Sequence, residues 1–150
     1  MSERTRTALM WILGVAVLGA GIWMLVKDDD GLRVTDVWAR SSPMVDGAAA
    51  AYMNIQGGTE DDALVSASVA ADVAGKVELH ETRMVDGKHS MQMVLGIDIP
   101  AGGSVALEPG GYHIMLMGLV EPLEPGDTFE MELVFESGAT ITVEVEVREG

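Results

Sequence analysis

In the stretch GYHIMLM (111–117) a histidine is followed by methionine at every second position: His113, Met115 and Met117. The 150-residue chain holds three histidines, eleven methionines and no cysteine. Imidazole nitrogen and thioether sulfur are both neutral donors. Thioether is too soft to serve Zn²⁺, Mg²⁺ or Ca²⁺ well, but it suits Cu(I). A site of two imidazoles and two thioethers would carry only the ion's single positive charge. Tetrahedral or trigonal placement would favour the d¹⁰ ion. The absence of thiol is consistent with such chemistry in an oxidising compartment. Thiolate there is exposed to disulfide formation, whereas thioether is lost only through sulfoxide formation.

A second set of soft residues lies in VELHETRMVDGKHSMQMV (77–94). Asp86-Gly87 between two strand-like runs favours a two-residue type I′ turn, in which both central residues take positive φ. That turn sets a register: Val85 opposite Lys88, Met84 opposite His89, Thr82 opposite Met91 and His80 opposite Met93. His80, Thr82, Met84, His89, Met91 and Met93 then share one face. Val77, Leu79 and Val94 take the other. His80 and Met91 are diagonal neighbours, within reach of two long side chains converging on one atom. His113 and Met115 form a comparable couple, two residues apart on one face of a strand. Methionine is also a common core filler, and the residues alone leave open whether the couples meet. His89, next to the turn, is expected in solvent, and with Met84 it makes a weaker second soft pair. Met117 is assigned to packing. Met44, Met53 and Met131 have no histidine in register and read as core or surface.

The elements that must position these residues are strands. After residue 30 the apolar pattern alternates in short runs separated by turn residues, the mark of an all-β domain. Strands are predicted over 32–40, 49–56, 63–70, 76–84, 88–94, 104–108, 112–119, 127–136 and 140–147. Their number and spacing suggest a Greek-key sandwich or barrel. The last strand is the clearest: Ile141, Val143, Val145 and Val147 alternate with Thr142, Glu144, Glu146 and Arg148. One domain is expected over 32–148, with 28–31 as an acidic linker. Residues 8–26 run without a charge, with Arg4 and Arg6 before them and Lys27 after. As a helix they span about 28 Å, near a bilayer's hydrocarbon thickness. This predicts an uncleaved anchor with a cytoplasmic N-terminus, and a cleaved signal peptide is the competing reading. Either puts the remainder outside the cytoplasm.

Charge narrows the partners. The formal net charge is −15, from 24 acidic against nine basic residues. Three of those nine basic residues flank the apolar run, so the remainder is more acidic still. Nucleic acid and anionic lipid are poor partners for such a field. Cations and basic protein faces are better ones, and the acidity also serves solubility. Without cysteine the domain has no disulfide and no blue-copper thiolate, which argues against electron transfer. There is no Gly-x-Ser-x-Gly elbow, no histidine with an acid–base partner at a known spacing and no calcium-loop spacing. No enzyme activity is expected.

His80, Met91, His113 and Met115 fit H-x10-M-x21-H-x-M, and here the chain resembles the PCu(A)C periplasmic copper chaperones. VELHET, IPAGGSVALEPGGYHIMLMGL and PLEPGDTFEMELVFE are similar to that family too, over roughly 32–148. The resemblance implies a cupredoxin-like β-sandwich that binds Cu(I) through those four residues. It also implies delivery of copper to the CuA centre of cytochrome oxidase, alone or beside thiol-containing assembly partners. Glu81 departs from the methionine that many members carry directly after the first histidine. No His/Met-rich tail follows EVREG, so a second site of that kind is not expected. A periplasmic copper sink without a recipient and a metal-free interaction sandwich are the rival readings.

Overall fold

The computed structural model describes residues 25–26, 31–42 and 47–149. The described chain forms β1 (Leu25–Val26), β2 (Arg33–Arg40), β3 (Ala48–Gln56) and β4 (Asp62–Val69). There follow β5 (Ala74–Val85), β6 (Lys88–Met93), β7 (Ile97–Ile99) and β8 (Ser104–Leu107). β9 (Tyr112–Leu119), β10 (Thr128–Phe135) and β11 (Thr140–Arg148) complete the set. The described domain is all-β, as the alternating runs predict.

Alternation decides which face each strand buries. In β11, Ile141, Val143, Val145 and Val147 are buried while Glu144, Glu146 and Arg148 face water. One side of the strand contributes to the core and the other solvates the sheet. β2 needs a correction to keep its pattern. Asp36 sits at φ 51°, and the β2–β3 register shifts between Thr35 and Trp38. This bulge reverses the parity, so Val34, Val37 and Ala39 are all buried and Trp38 is turned to the other face, beside Tyr52.

Hydrogen bonding follows one path, β6-β5-β9-β8-β3-β2-β11-β10-β4-β7, with β1 added to β11 and a further β3–β9 pairing. β2 and β11 run parallel. β4 also packs against β5, so the path doubles over and encloses the core between two layers. Leu79, Ile114, Leu116, Met53 and Ile55 from one layer meet Met131, Leu133, Phe135, Ile141 and Val143 from the other. Met53 and Met131 are therefore core residues. Met44 lies outside the described residues.

Two strands lie beyond those predicted. β7 is only three residues long and runs directly into Pro100, too short to show a period. β1 pairs Leu25 with Thr142 and Val26 with Ile141, alongside a stretch of β11 that β2 leaves uncovered. An unpaired edge is costly, and β1 shortens it. The predicted helix over 8–26 thus gives up its last two residues to a strand. The rest of that segment, and residues 28–30 of the predicted linker, lie outside the described residues. Among the described residues no helix is long and apolar enough to cross a membrane.

Candidate metal centre

The β5–β6 hairpin carries the first histidine. Asp86 and Gly87 take φ of 52° and 77°, and the strands pair Val85 with Lys88, Met84 with His89, Thr82 with Met91 and His80 with Met93. Turn chemistry alone therefore predicts the local register correctly.

β9 brings the second histidine. β8 and β9 lie end to end along β3, with Met53–Gln56 pairing β8 and Ala48–Ala51 pairing β9. The intervening turn is closed by the Gly111 amide donating to the Glu108 carbonyl at 2.9 Å. β9 then pairs antiparallel with β5, which sets His80 directly opposite His113 and Glu78 opposite Met115. Their imidazole centroids are 5.6 Å apart. The row continues through Tyr52, 6.4 Å from the His113 ring, to Trp38, 4.8 Å from Tyr52.

Each imidazole is oriented through one nitrogen. His80 Nε2 donates to Glu78 Oε2 at 2.9 Å, and Glu78 Oε1 accepts from Lys76 Nζ at 2.7 Å. His113 Nδ1 donates to the Gly111 carbonyl at 3.4 Å. In the tautomers that make both bonds, the other nitrogens hold lone pairs. His80 Nδ1 and His113 Nε2 are buried and have no hydrogen-bond partner within the protein. Buried polar atoms are rarely left so, and a donor bond from a ligating imidazole's other nitrogen is the usual support of a metal ligand. Burial pushes the His113 imidazole below its ordinary pKa; the Gly111 carbonyl opposes the shift and the nearby His80 adds to it. Lys76, and then His80, hold the Glu78 carboxyl below the usual carboxylate range.

The thioethers are arranged less symmetrically. Met115 lies two residues along β9 from His113 and diagonal to His80. Met91 lies across from Thr82 and diagonal to His80 on the other side. The fold thus brings the two histidines side by side, with one methionine off each end of the pair. His113 is 2% exposed and Met91 59%. The site is thus asymmetric, with a covered imidazole on β9 and an exposed thioether on β6. His89 is in solvent as predicted, and Met84 opposite it is 62% exposed. Met117 is half-buried, opposite Ala48 and Lys76. Among the described residues no three or more histidines, cysteines, aspartates or glutamates group so as to hold a metal.

The family model described as "Putative lipoprotein LpqE-like" matches residues 32–147. The chain belongs to this LpqE-like family. The LpqE-like chain is 36% identical over 143 residues to "Putative lipoprotein Lxx21020" of Leifsonia xyli subsp. xyli, covering 94% of this chain and 84% of that one. Its fold is that of PCuAC domains. The apo PCuAC domain from PmoF1 superposes with a TM-score of 0.66 at 24% identity, covering 84% of the LpqE-like chain and 100% of the domain. The solution structure of CuI-DR1885 from Deinococcus radiodurans matches with a TM-score of 0.59 at 32% identity, covering 78% of this chain and 79% of that one. The all-β architecture expected from the resemblance is thus present, in the form of the PCuAC fold.

Sequence reasoning missed Glu78. Its signal was available: a carboxylate two residues before His80 stands on the same face of the strand. It also missed Tyr52, whose place beside His113 depends on a pairing between distant segments.

Proposed function

We propose that this chain is an extracytoplasmic Cu(I) carrier that takes the ion among His80, Met91, His113 and Met115 and passes it to the CuA centre of cytochrome oxidase. One observation carries this reading: two buried imidazole nitrogens without partners, on rings 5.6 Å apart, beside thioethers on the same face. Two neutral nitrogens with soft sulfurs suit Cu(I), and the CuI form of DR1885 lends support. Copper is the cargo here, and the chain is not an enzyme. His113, covered and pre-oriented, holds the ion from the domain side. Met91, exposed on the edge hairpin, is the donor that a recipient's ligand displaces first.

The relatives' names carry the word lipoprotein. Lipid attached through cysteine needs a thiol, and these 150 residues hold none. In this reading the apolar segment before β1, residues 8–24, tethers the domain to the outer side of the cytoplasmic membrane. A tether raises the carrier's effective concentration near a membrane-bound oxidase. Thiol-containing assembly chaperones are the other expected partners.

Anaerobic Cu(I) titration against a competing chelator tests the site. One ion should bind per chain, and Met115→Leu and His113→Ala should each weaken it. Unchanged uptake by His113→Ala would reject the site. Incubating the Cu(I)-loaded protein with an apo CuA domain tests delivery; retention of the ion would indicate a copper sink instead.

A further inference from the structure

The residue directly across from His80 on β6 is Met93, and Met91 is opposite Thr82. Met93, His80 and His113 therefore form one continuous row across β6, β5 and β9. Strands lie about 4.8 Å apart and residues rise about 3.3 Å along them. Met93 is thus separated from Met115 by two strand spacings and about 6.6 Å along the strand. Met91 is separated from Met115 by the same two spacings and about 13 Å. Of the two methionines on β6, Met93 is the nearer to the other soft donors.

Packing gives little account of these side chains. Met93 is 58% exposed, Met91 59% and Met84 62%. β6 ends the hydrogen-bonded path, and exposed apolar residues on an edge strand invite aggregation. On the opposite face of the same hairpin Arg83 pairs with Glu81 at 3.0 Å. Beyond His80 the hairpin thus shows an Arg83–Glu81 ion pair on one face and its three thioethers on the face it shares with the two imidazoles.

Building on the Cu(I) site above, we propose that Met93 is a further thioether donor, exchanging with Met91 so that β6 offers the ion two alternate sulfurs. Met91, the outer of the two, meets an incoming ion. Met93, level with the imidazoles, holds it. The reverse exchange exposes the ion to a recipient. Both sulfurs are neutral and the ion keeps its charge, so no electron or proton moves in the exchange.

The test uses the full chain in mild detergent, with anaerobic Cu(I) titration against a chelator and X-ray absorption to count sulfurs around copper. Met91→Leu, Met93→Leu and the double variant are compared, with circular dichroism to verify folding. Each single substitution should weaken binding by about tenfold or less, and the double variant by more than the product of the two, as coupled neighbours do. Met91→Leu should keep the wild-type sulfur count. The proposal is overturned if Met93→Leu changes neither affinity nor sulfur count, alone or beside Met91→Leu. It is equally overturned if Met93→Leu lowers only the thermal midpoint of copper-free protein, since Met93 would then be packing alone. Full Cu(I) uptake by His113→Ala would instead reject the underlying site, independently of Met93.

Discussion

At the scale of single residues, the site depends on which imidazole nitrogen is free. Glu78 accepts from His80 Nε2 and so leaves the buried Nδ1 as the unpartnered nitrogen. Glu78→Gln keeps the size but removes the charge that fixes the ring. Supporting partners of this kind are worth about 10–100-fold in metal affinity. A loss at the lower end of that range is expected in Cu(I) titration, with the β-sheet circular dichroism unchanged. His113 supplies a pH prediction with a definite sign. Its folded pKa lies below the ordinary imidazole value, so the unfolded chain takes up a proton first as pH falls. Copper-free protein should therefore lose stability as pH drops below about 6.5 through the depressed folded value. Urea unfolding at stepped pH measures this, and His113→Gln should flatten that part of the profile. The same burial delays proton competition at His113, so its share of the fall in Cu(I) affinity begins below the usual imidazole range. The overall slope should not exceed two protons per ion. A steeper slope would mean other titrating ligands. These roles were only partly legible beforehand: the imidazole–thioether couples follow from strand periodicity, whereas the setting of His113, between His80 and Tyr52, depends on strands distant in sequence.

At the scale of elements, local chemistry was readable and distant pairing was not. Asp86-Gly87 specified the turn, and through it the whole β5–β6 register. Gly87 has φ 77°, and an added Cβ there would meet nothing within 4 Å. Gly87→Ala should thus cost only backbone strain, about 1–2 kcal/mol, seen as a shift of the urea midpoint. The β5–β9 pairing that sets His80 against His113 has no comparable marker. It depends on β8 and β9 sharing the edge of β3, a contact between segments some 60 residues apart. The Asp36 bulge was also hidden, because Val34, Val37 and Ala39 break strict alternation without a glycine to announce it. Asp36→Val places a branched side chain at positive φ and should destabilise by about 1–2 kcal/mol. It should also disturb the Trp38–Tyr52 contact.

At the scale of the whole molecule, an all-β domain was legible from period-2 runs and turn residues, and the single core follows from the same patterns. The closure of two layers through one hydrogen-bonded path was not, since it requires β2 and β11, the first long strand and the last, to run side by side. Net charge acts at this scale too. A chain at −15 should approach a basic recipient face by long-range attraction. The rate of Cu(I) transfer to such a recipient should fall as salt rises, because screening shortens the reach of the field. Stopped-flow transfer at several ionic strengths measures it, and a flat response would remove electrostatics from the encounter.

The row of rings that begins at His80 and ends at Trp38 has an optical consequence. Trp38 is the sole indole between residues 24 and 150, its ring tilted against a tyrosine 4.8 Å away that itself adjoins His113. Once residues 1–24 are replaced by a tryptophan-free leader, indole emission excited at the red edge, where tyrosine does not absorb, has one source in this protein, two side chains away from the proposed ion. Filling the site should alter its intensity, so occupancy can be followed in real time without an attached dye.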